Sequence, residues 1–158
     1  MKENLKGFMN SEIKWLGNMA FEAENRSHLS RFDVSVENGG TDTSATPKEV
    51  LLNSMCVCSG MDVVSIAKKM RLELDSFSMK GRANKTSTLP SYFSSVHMEY
   101  FITGEMESEK IIKAVVMSMT KYCGVSYMIS KICPITYDVY LNDQLIHQDK
   151  ANFMVEVL

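Results

Sequence analysis

Residues 46–71 read TPKEVLLNSMCVCSGMDVVSIAKKMR, and this stretch decides the fold that the sequence predicts. Thr46 offers a hydroxyl that caps a helix, and Pro47 suits the first helical position, where its missing N–H costs nothing. Apolar residues recur on more than one side of the stretch, which is typical of a helix buried on most of its surface. The cations of the closing KKMR complement the negative end of the helix dipole. We therefore predict a long, buried central helix.

Cys58 lies in the middle of this helix. At helical spacing it falls on one line with Asp62, whereas Cys56 points to another side. Taken singly, a core cysteine is most often a small buried hydrophobe. A second thiol favours a chemical role: Cys123 stands in the segment KYCGVS, where the cation of Lys121 favours the thiolate form.

The rest of the chain predicts strands on either side of a second long helix. Apolar residues at helical spacing predict that helix over 108–132. Alternating apolar residues predict strands within 11–36, with a hairpin turn near Gly17, and two more within 74–103. A last strand is predicted over 135–141, followed by a tail. Helices segregated from a mostly antiparallel sheet indicate the α+β class.

The composition describes one globular domain over 1–158, because 45% of the residues are apolar and 23% are charged. The formal net charge of −2 gives no general attraction to phosphate backbones or anionic surfaces, so we expect neither nucleic acid nor a membrane as partner. The sequence shows no signal-peptide core and no apolar run long enough to cross a bilayer, which favours a cytoplasmic location. The 4 cysteines lack CxxC spacing, which favours reduced thiols over a zinc site.

The two cysteine segments carry a resemblance to a known family. PKEVLLNSMCVCSGMDVVSIAKKM and KYCGVSYMISK closely resemble the OsmC/Ohr family of thiol-dependent peroxidases, and the lead-in GGTDTSATPKEVLL resembles its OsmC-like branch. The resemblance runs from Trp15 to Leu141. It implies an OsmC-like α+β fold with a mostly antiparallel sheet and two long buried central helices. It also implies an intertwined homodimer, with each active site at the interface of the two chains.

The resemblance implies roles for four residues, beginning with the thiols. Cys58 matches the peroxidatic cysteine of the family, and Cys123 matches the resolving cysteine. The family glutamate directly follows the proline of the lead-in, whereas here Lys48 takes that place and the acid is Glu49. One step along a helix turns a side chain by about 100°, so the position of Glu49 departs from the family pattern.

The family also holds its peroxidatic thiolate with an arginine from neighbouring strands. The candidates here are Arg26, Arg31 and Arg82, and Arg82 lies near a strand end where the branch commonly has an arginine. A surface ion pair is the alternative role for Arg82. Five residues are candidates to line an apolar slot for an organic substrate: Met55, Met61, Phe93, Phe101 and Tyr127.

By this resemblance the protein is a cysteine-based peroxidase that reduces organic, and less so inorganic, hydroperoxides in oxidative or osmotic stress defence. Cys58 attacks the peroxide, Cys123 condenses with the resulting sulfenic acid, and an external dithiol, such as a lipoylated protein, reduces the disulfide. No cofactor is needed. Two alternatives stay open: a non-catalytic protein that binds or senses a small apolar or sulfur compound in the interface pocket, and a structural protein whose cysteines only pack.

Overall fold

The computed structural model describes residues 9–154. The chain divides into two compact units, Met1–Leu51 and Leu52–Leu158, whereas the sequence predicts a single domain over 1–158. The division follows the hydrogen bonding. Among the described strands, the first three form one sheet and the last four form another.

The first unit is built on a three-stranded antiparallel sheet. Its strands are β1 (Glu12–Gly17), β2 (Ala20–Asn25) and β3 (His28–Phe32), in the order β1-β2-β3. The turn between the first two strands needs left-handed backbone at Gly17 (φ 113°) and Asn18 (φ 45°). Glycine and asparagine tolerate that conformation best, so the predicted hairpin is confirmed at the predicted turn.

Strand β3 ends at Phe32, before the predicted limit of this segment at Val36. The cause is the side chain of Asp33, which accepts hydrogen bonds from the backbone and hydroxyl of Thr41 (3.1 and 2.7 Å) and of Thr43 (3.1 and 2.9 Å). These bonds hold the pKa of Asp33 well below its usual range. They also close the following loop onto the strand end, so the chain leaves the sheet there.

Helix α1 spans Pro47–Lys69, close to the predicted 46–71. Its first turn carries a capping box, because the Thr46 N–H and hydroxyl donate to Glu49 Oε2 at 2.7 and 2.8 Å. The predicted burial on most sides is not reached within one chain, so burial inside a dimer stays a prediction. Val57 is 53% exposed and Met61 is 69% exposed, because the described residues cover only part of the helix surface.

Helix α1 is also long and apolar enough to cross a membrane by length and composition. The sequence predicts no uninterrupted apolar run of that length, and polar residues such as Asn53 and Asp62 do interrupt this one. Core helices of soluble proteins share this length and composition, so neither property by itself indicates a membrane partner.

The second unit is built on a four-stranded sheet in the order β4-β5-β6-β7. The strands are Ser76–Lys85, Phe93–Thr103, Ile135–Leu141 and Gln144–Lys150. Only the β5–β6 pair of the described sheets is parallel, so the mostly antiparallel α+β prediction is confirmed. The tail beyond the predicted last strand contributes β7, an edge strand.

The predicted second helix over 108–132 is not continuous. Helix α2 spans Ser108–Met117, a π-helical turn covers Ser118–Tyr122, and helix α3 spans Gly124–Ser130. The break falls at Cys123, whose backbone is extended (ψ 96°) and whose sulfur caps α3 by accepting from the Ser126 N–H. Sequence periodicity continues across the break and so does not reveal it.

Helix α1 packs on one face of the second sheet. The alternating residues Val96, Met98, Tyr100 and Ile102 of β5 are all buried on the core face, as their period predicts. Close approach of the helix requires glycine on β4: a Cβ built at Gly81 would lie 2.6 Å from Cys56 Sγ.

Candidate functional site

The structure brings the two predicted thiols together. Cys58 lies on α1 and is half-buried, and Cys123 lies between the π turn and α3 and is buried. Their sulfurs and a carboxylate oxygen of Asp62 all lie within 4.8 Å of one another. A disulfide needs sulfurs about 2.05 Å apart, so the two sulfurs must approach each other further before they can bond.

Cys123 is positioned by the backbone that precedes it and by the helix that follows it. Its N–H donates to Ser118 O at 3.0 Å, which closes the π turn. Its S–H donates to Ser126 Oγ at 3.0 Å, and the Ser126 N–H donates to Cys123 Sγ at 3.4 Å. Burial is the largest cause that raises the pKa of the Cys123 thiol, the bonds with Ser126 lower it, and the nearby Cys58 raises it, with a net pKa of about 11. Cys123 is therefore a protonated thiol at neutral pH.

Asp62 stands one helical turn after Cys58 and is half-buried. Burial raises the pKa of its carboxyl group, and a hydrogen bond from Ser118 Oγ at 3.1 Å partly offsets that effect. Ser118 belongs to a buried polar chain, because Ser59 Oγ lies 2.8 Å from Ser118 Oγ and 2.6 Å from Tyr100 OH. A chain of hydrogen bonds thus connects the Asp62 carboxylate to the buried Tyr100.

Sequence reasoning placed Asp62 on the line of Cys58 but assigned it no role, although its i, i+4 spacing was the available signal. It missed Ser118 entirely. No local pattern marks that serine, because its contacts with Asp62 and Ser59 depend on how α1 and the π turn pack.

Glu49, the predicted acid of the site, is exposed and serves the N-terminus of α1. Its carboxylate accepts from Thr46, and its own N–H lies 3.4 Å from Thr46 Oγ1. The one-place shift from the family position puts this acid at the N3 place of the helix, where a capping box uses it.

The structure does not bring Arg82 to the thiols. Side chains alternate along β4, so Gly81 faces α1 and Arg82 faces away from it. There Arg82 forms an ion pair with Glu99, whose side chain is 11% exposed. Arg31 pairs with Glu22 at 3.0 Å, and Arg26 lies in the left-handed turn after β2 (φ 52°).

A groove of about 860 Å³ runs along α1 beside β4, but it holds Cys56 rather than Cys58. Among the five predicted slot residues, Met61 lines this groove. The others do not: Met55 and Phe93 are buried in the core, Phe101 stacks on Tyr140 at 4.8 Å, and Tyr127 packs on Phe153 at 5.8 Å.

A smaller pocket of about 320 Å³ adjoins the thiol cluster through Asp62. Its apolar walls come from three residues. Ile66 lies on α1, Met70 directly follows α1, and Met117 ends α2. One serine, two lysines and a tyrosine complete the lining: Ser65, Lys69, Lys113 and Tyr122.

Comparison with known proteins gives a consistent result. A family model described as OsmC-like protein matches residues 40–138. Protein YhfA of Escherichia coli (strain K12) is 27% identical over 130 residues, which cover 82% of this chain and 95% of that protein. A crystal structure of an OsmC like protein from Mycoplasma pneumoniae matches with a TM-score of 0.75 at 11% identity and covers 86% of this chain and 98% of that one.

The name of a third protein refers to organic hydroperoxides. The crystal structure of an organic hydroperoxide resistance protein OsmC from Legionella pneumophila matches with a TM-score of 0.62 at 18% identity, covering 84% of this chain and 96% of that one. At this identity, the likeness to the Legionella and Mycoplasma structures establishes a shared fold.

Proposed function

Because the chain belongs to the OsmC-like protein family and has its fold, we propose that it is a thiol-dependent peroxidase that reduces organic hydroperoxides through Cys58 and Cys123. The observation that carries the proposal is the approach of the two sulfurs, from separate helical segments, to within 4.8 Å. The name of the Legionella protein supports the same substrate class.

The chemistry proceeds in three steps. The Cys58 thiolate attacks one peroxide oxygen, the O–O bond breaks, and the alkoxide takes a proton and leaves as an alcohol. The Cys123 sulfur then attacks the Cys58 sulfenic acid, and its thiol proton leaves with the hydroxide as water. The resulting disulfide returns to two thiols when an external dithiol supplies two electrons and two protons.

The environments of the thiols favour this division of roles. Cys58 is half-buried and therefore open to a substrate, whereas Cys123 is buried with its pKa raised to about 11. A protonated, enclosed thiol is a poor first nucleophile but is well placed to trap a neighbouring sulfenic acid. The pocket beside Asp62 offers apolar surface for the organic part of the hydroperoxide.

The test uses cysteine mapping. One equivalent of cumene hydroperoxide is added to the reduced protein, and the thiols are identified by mass spectrometry within seconds. We expect a Cys58–Cys123 disulfide that a dithiol reverses and that Cys58→Ser prevents. Cys56→Ser and Cys133→Ser are the matched controls and should leave it unchanged.

The proposal fails if both thiols of the wild-type protein survive the peroxide, or if the disulfide includes Cys56 or Cys133. Survival of both thiols would favour the binding or sensing alternative. The placement of Glu49 in a capping box and of Arg82 on the far face of the sheet gives that alternative its structural support.

We also infer that two chains pair as a homodimer through the exposed side of α1. Val57 and Met61 are 53% and 69% exposed on a helix that is otherwise rich in apolar residues, and both line the large groove. A second copy of the chain supplies a matching apolar helix surface. Covering these side chains removes apolar area from water, which stabilises the pair.

A further inference from the structure

The peroxidase cycle uses two sulfurs and gives no role to the carboxylate beside them. Cys58, Asp62 and Cys123 each offer one donor atom, and the three atoms lie within 4.8 Å of one another. From this cluster we propose that the reduced protein binds a thiophilic divalent cation, typified by Zn²⁺, through two thiolates and one carboxylate oxygen. This inference goes beyond the peroxidase function and does not depend on it.

The geometry suits a tetrahedral ion after a small contraction. Zinc binds sulfur at about 2.3 Å and carboxylate oxygen at about 2.0 to 2.2 Å, so tetrahedral ligands lie roughly 3.5 to 3.8 Å apart. Each of the three donor atoms therefore needs to move toward the centre of the cluster by about 1 Å at most. Cys58 and Asp62 are four residues apart on α1 and so share one side of the helix, which allows the movement by side-chain rotation.

Buried serines donate hydrogen bonds to two of the three proposed ligands. Ser118 Oγ donates to Asp62 Oδ2 at 3.1 Å, and the Ser126 N–H donates to Cys123 Sγ at 3.4 Å. Ser118 is itself held at 2.8 Å by Ser59. Outer hydrogen bonds fix the orientation of the ligands of metal sites.

The ligand set also indicates the class of ion and the type of site. Two thiolates favour Zn²⁺ and similar soft or borderline ions over Mg²⁺ or Ca²⁺, which prefer oxygen. Three protein ligands leave a fourth position, and the half-buried Cys58 and Asp62 leave it accessible to water or a small ligand. Zinc sites with such an open position exchange ligands, unlike closed structural sites.

Metal binding and oxidation use the same sulfurs and therefore exclude each other. If the proposed peroxidase function holds, two bound thiolates give up two electrons to one hydroperoxide. With two protons, the products are one disulfide, one alcohol and one water, and the ion is released. The occupied form would then be a protected state of the reduced protein.

The test titrates Co²⁺, a spectroscopic substitute for Zn²⁺, into the reduced full-length protein without oxygen. We expect one ion per chain, a thiolate-to-cobalt charge-transfer band and displacement by Zn²⁺. Cys58→Ser and Cys123→Ser should remove the band, and Asp62→Asn should weaken binding at least about tenfold. Ser118→Ala should weaken binding on the order of tenfold.

Cys56→Ser and Cys133→Ser are the matched controls and should bind Co²⁺ like the wild type. A measurement on the wild-type protein avoids dependence on variants: bound Zn²⁺ should protect Cys58 and Cys123, but not Cys56, from alkylation. The proposal is overturned if reduced protein gives no charge-transfer band, if the band survives Cys58→Ser, or if alkylation of Cys58 and Cys123 is unaffected. Because none of these readouts uses a peroxide, they stand or fall separately from the peroxidase test.

Discussion

At the scale of single residues, Cys123 shows how one side chain can meet a structural and a chemical demand. Its sulfur caps α3, and in the proposed cycle the same sulfur resolves the sulfenic acid of Cys58. Burial is the main cause that raises the pKa of Cys123 to about 11, whereas the N–H of Ser126 and its neighbouring hydroxyl, once this donates to the thiolate, lower that pKa.

We expect Ser126→Ala to slow the resolving step about fivefold at neutral pH, the equivalent of one hydrogen bond of about 1 kcal/mol. Loss of the hydroxyl raises the pKa of Cys123 further, so the thiolate fraction falls and the pH dependence of disulfide formation moves upward. Stopped-flow fluorescence measures this step after a single peroxide addition. Ser130→Ala is the control, since its hydroxyl bonds to Tyr127 O instead. An unchanged pH profile in Ser126→Ala would contradict this account.

Asp33 is a second residue whose pKa is shifted by hydrogen bonds. Its folded pKa lies below the ordinary carboxyl value, so its contribution to stability is present above pH of about 4 and is lost as the pH falls through the folded pKa. We expect Asp33→Asn to lower the melting temperature at pH 7 and to remove this part of the acid dependence. Melting curves from pH 7 to pH 2 measure both effects. Equal melting temperatures for the two proteins at pH 7 would show that the loop does not need the carboxylate.

At the scale of elements, the contact between α1 and β4 depends on a missing side chain. A Cβ at Gly81 would lie 2.6 Å from Cys56 Sγ and 3.3 Å from Leu52 Cδ1. The prediction of two packed elements from their apolar periods did not identify this glycine, because closeness between segments is not visible in either segment alone.

We expect Gly81→Ala to destabilise the protein by about 1 to 3 kcal/mol through overpacking. Cys56→Ala removes the nearest atom, so the double variant should lose less stability than the sum of the two single changes. Urea unfolding of all four proteins measures this coupling. Gly124→Ala is the matched control, because a Cβ there meets nothing within 4 Å. Additive losses would mean that the backbone, and not Cys56, limits the approach.

Local signals predicted many of the elements. The Thr-Pro start marks the beginning of α1, Gly17 marks the hairpin, and the alternating apolar residues mark β5 and β6. The break at Cys123 escaped prediction because a sulfur acceptor caps α3 there, and apolar periodicity carries no information on such a bond. The sequence also left the direction of Arg82 undecided, since that depends on which face of β4 meets the helix.

At the scale of the whole molecule, the exposed apolar side of α1 is the surface through which the proposed dimer would form. The groove beside it, of about 860 Å³, is lined largely by apolar atoms of α1 and β4. The family resemblance predicted the dimer, but a single chain shows only the surface that a partner would cover.

We expect Met61→Glu to convert the proposed dimer into monomers, or to weaken it by at least about tenfold, because a buried carboxylate without a partner is costly. Size-exclusion chromatography with light scattering measures the mass. Met128→Glu changes an equally exposed methionine outside the groove and should leave the mass unchanged. A monomeric wild-type protein would contradict the proposed dimer. It would not change the short distance between the Cys58 and Cys123 sulfurs.

The cap at Cys123 also links the order of helix α3 to the oxidation state of the two cysteines. If Cys123 bonds to Cys58 in the proposed disulfide, its sulfur must leave the position in which it accepts a hydrogen bond from the Ser126 N–H at 3.4 Å. The first turn of α3 should therefore loosen on oxidation and tighten again on reduction. In the proposed cycle, a reductant would then meet a loosened first turn of α3 (Gly124–Ser130) in the disulfide form and an ordered one in the dithiol form.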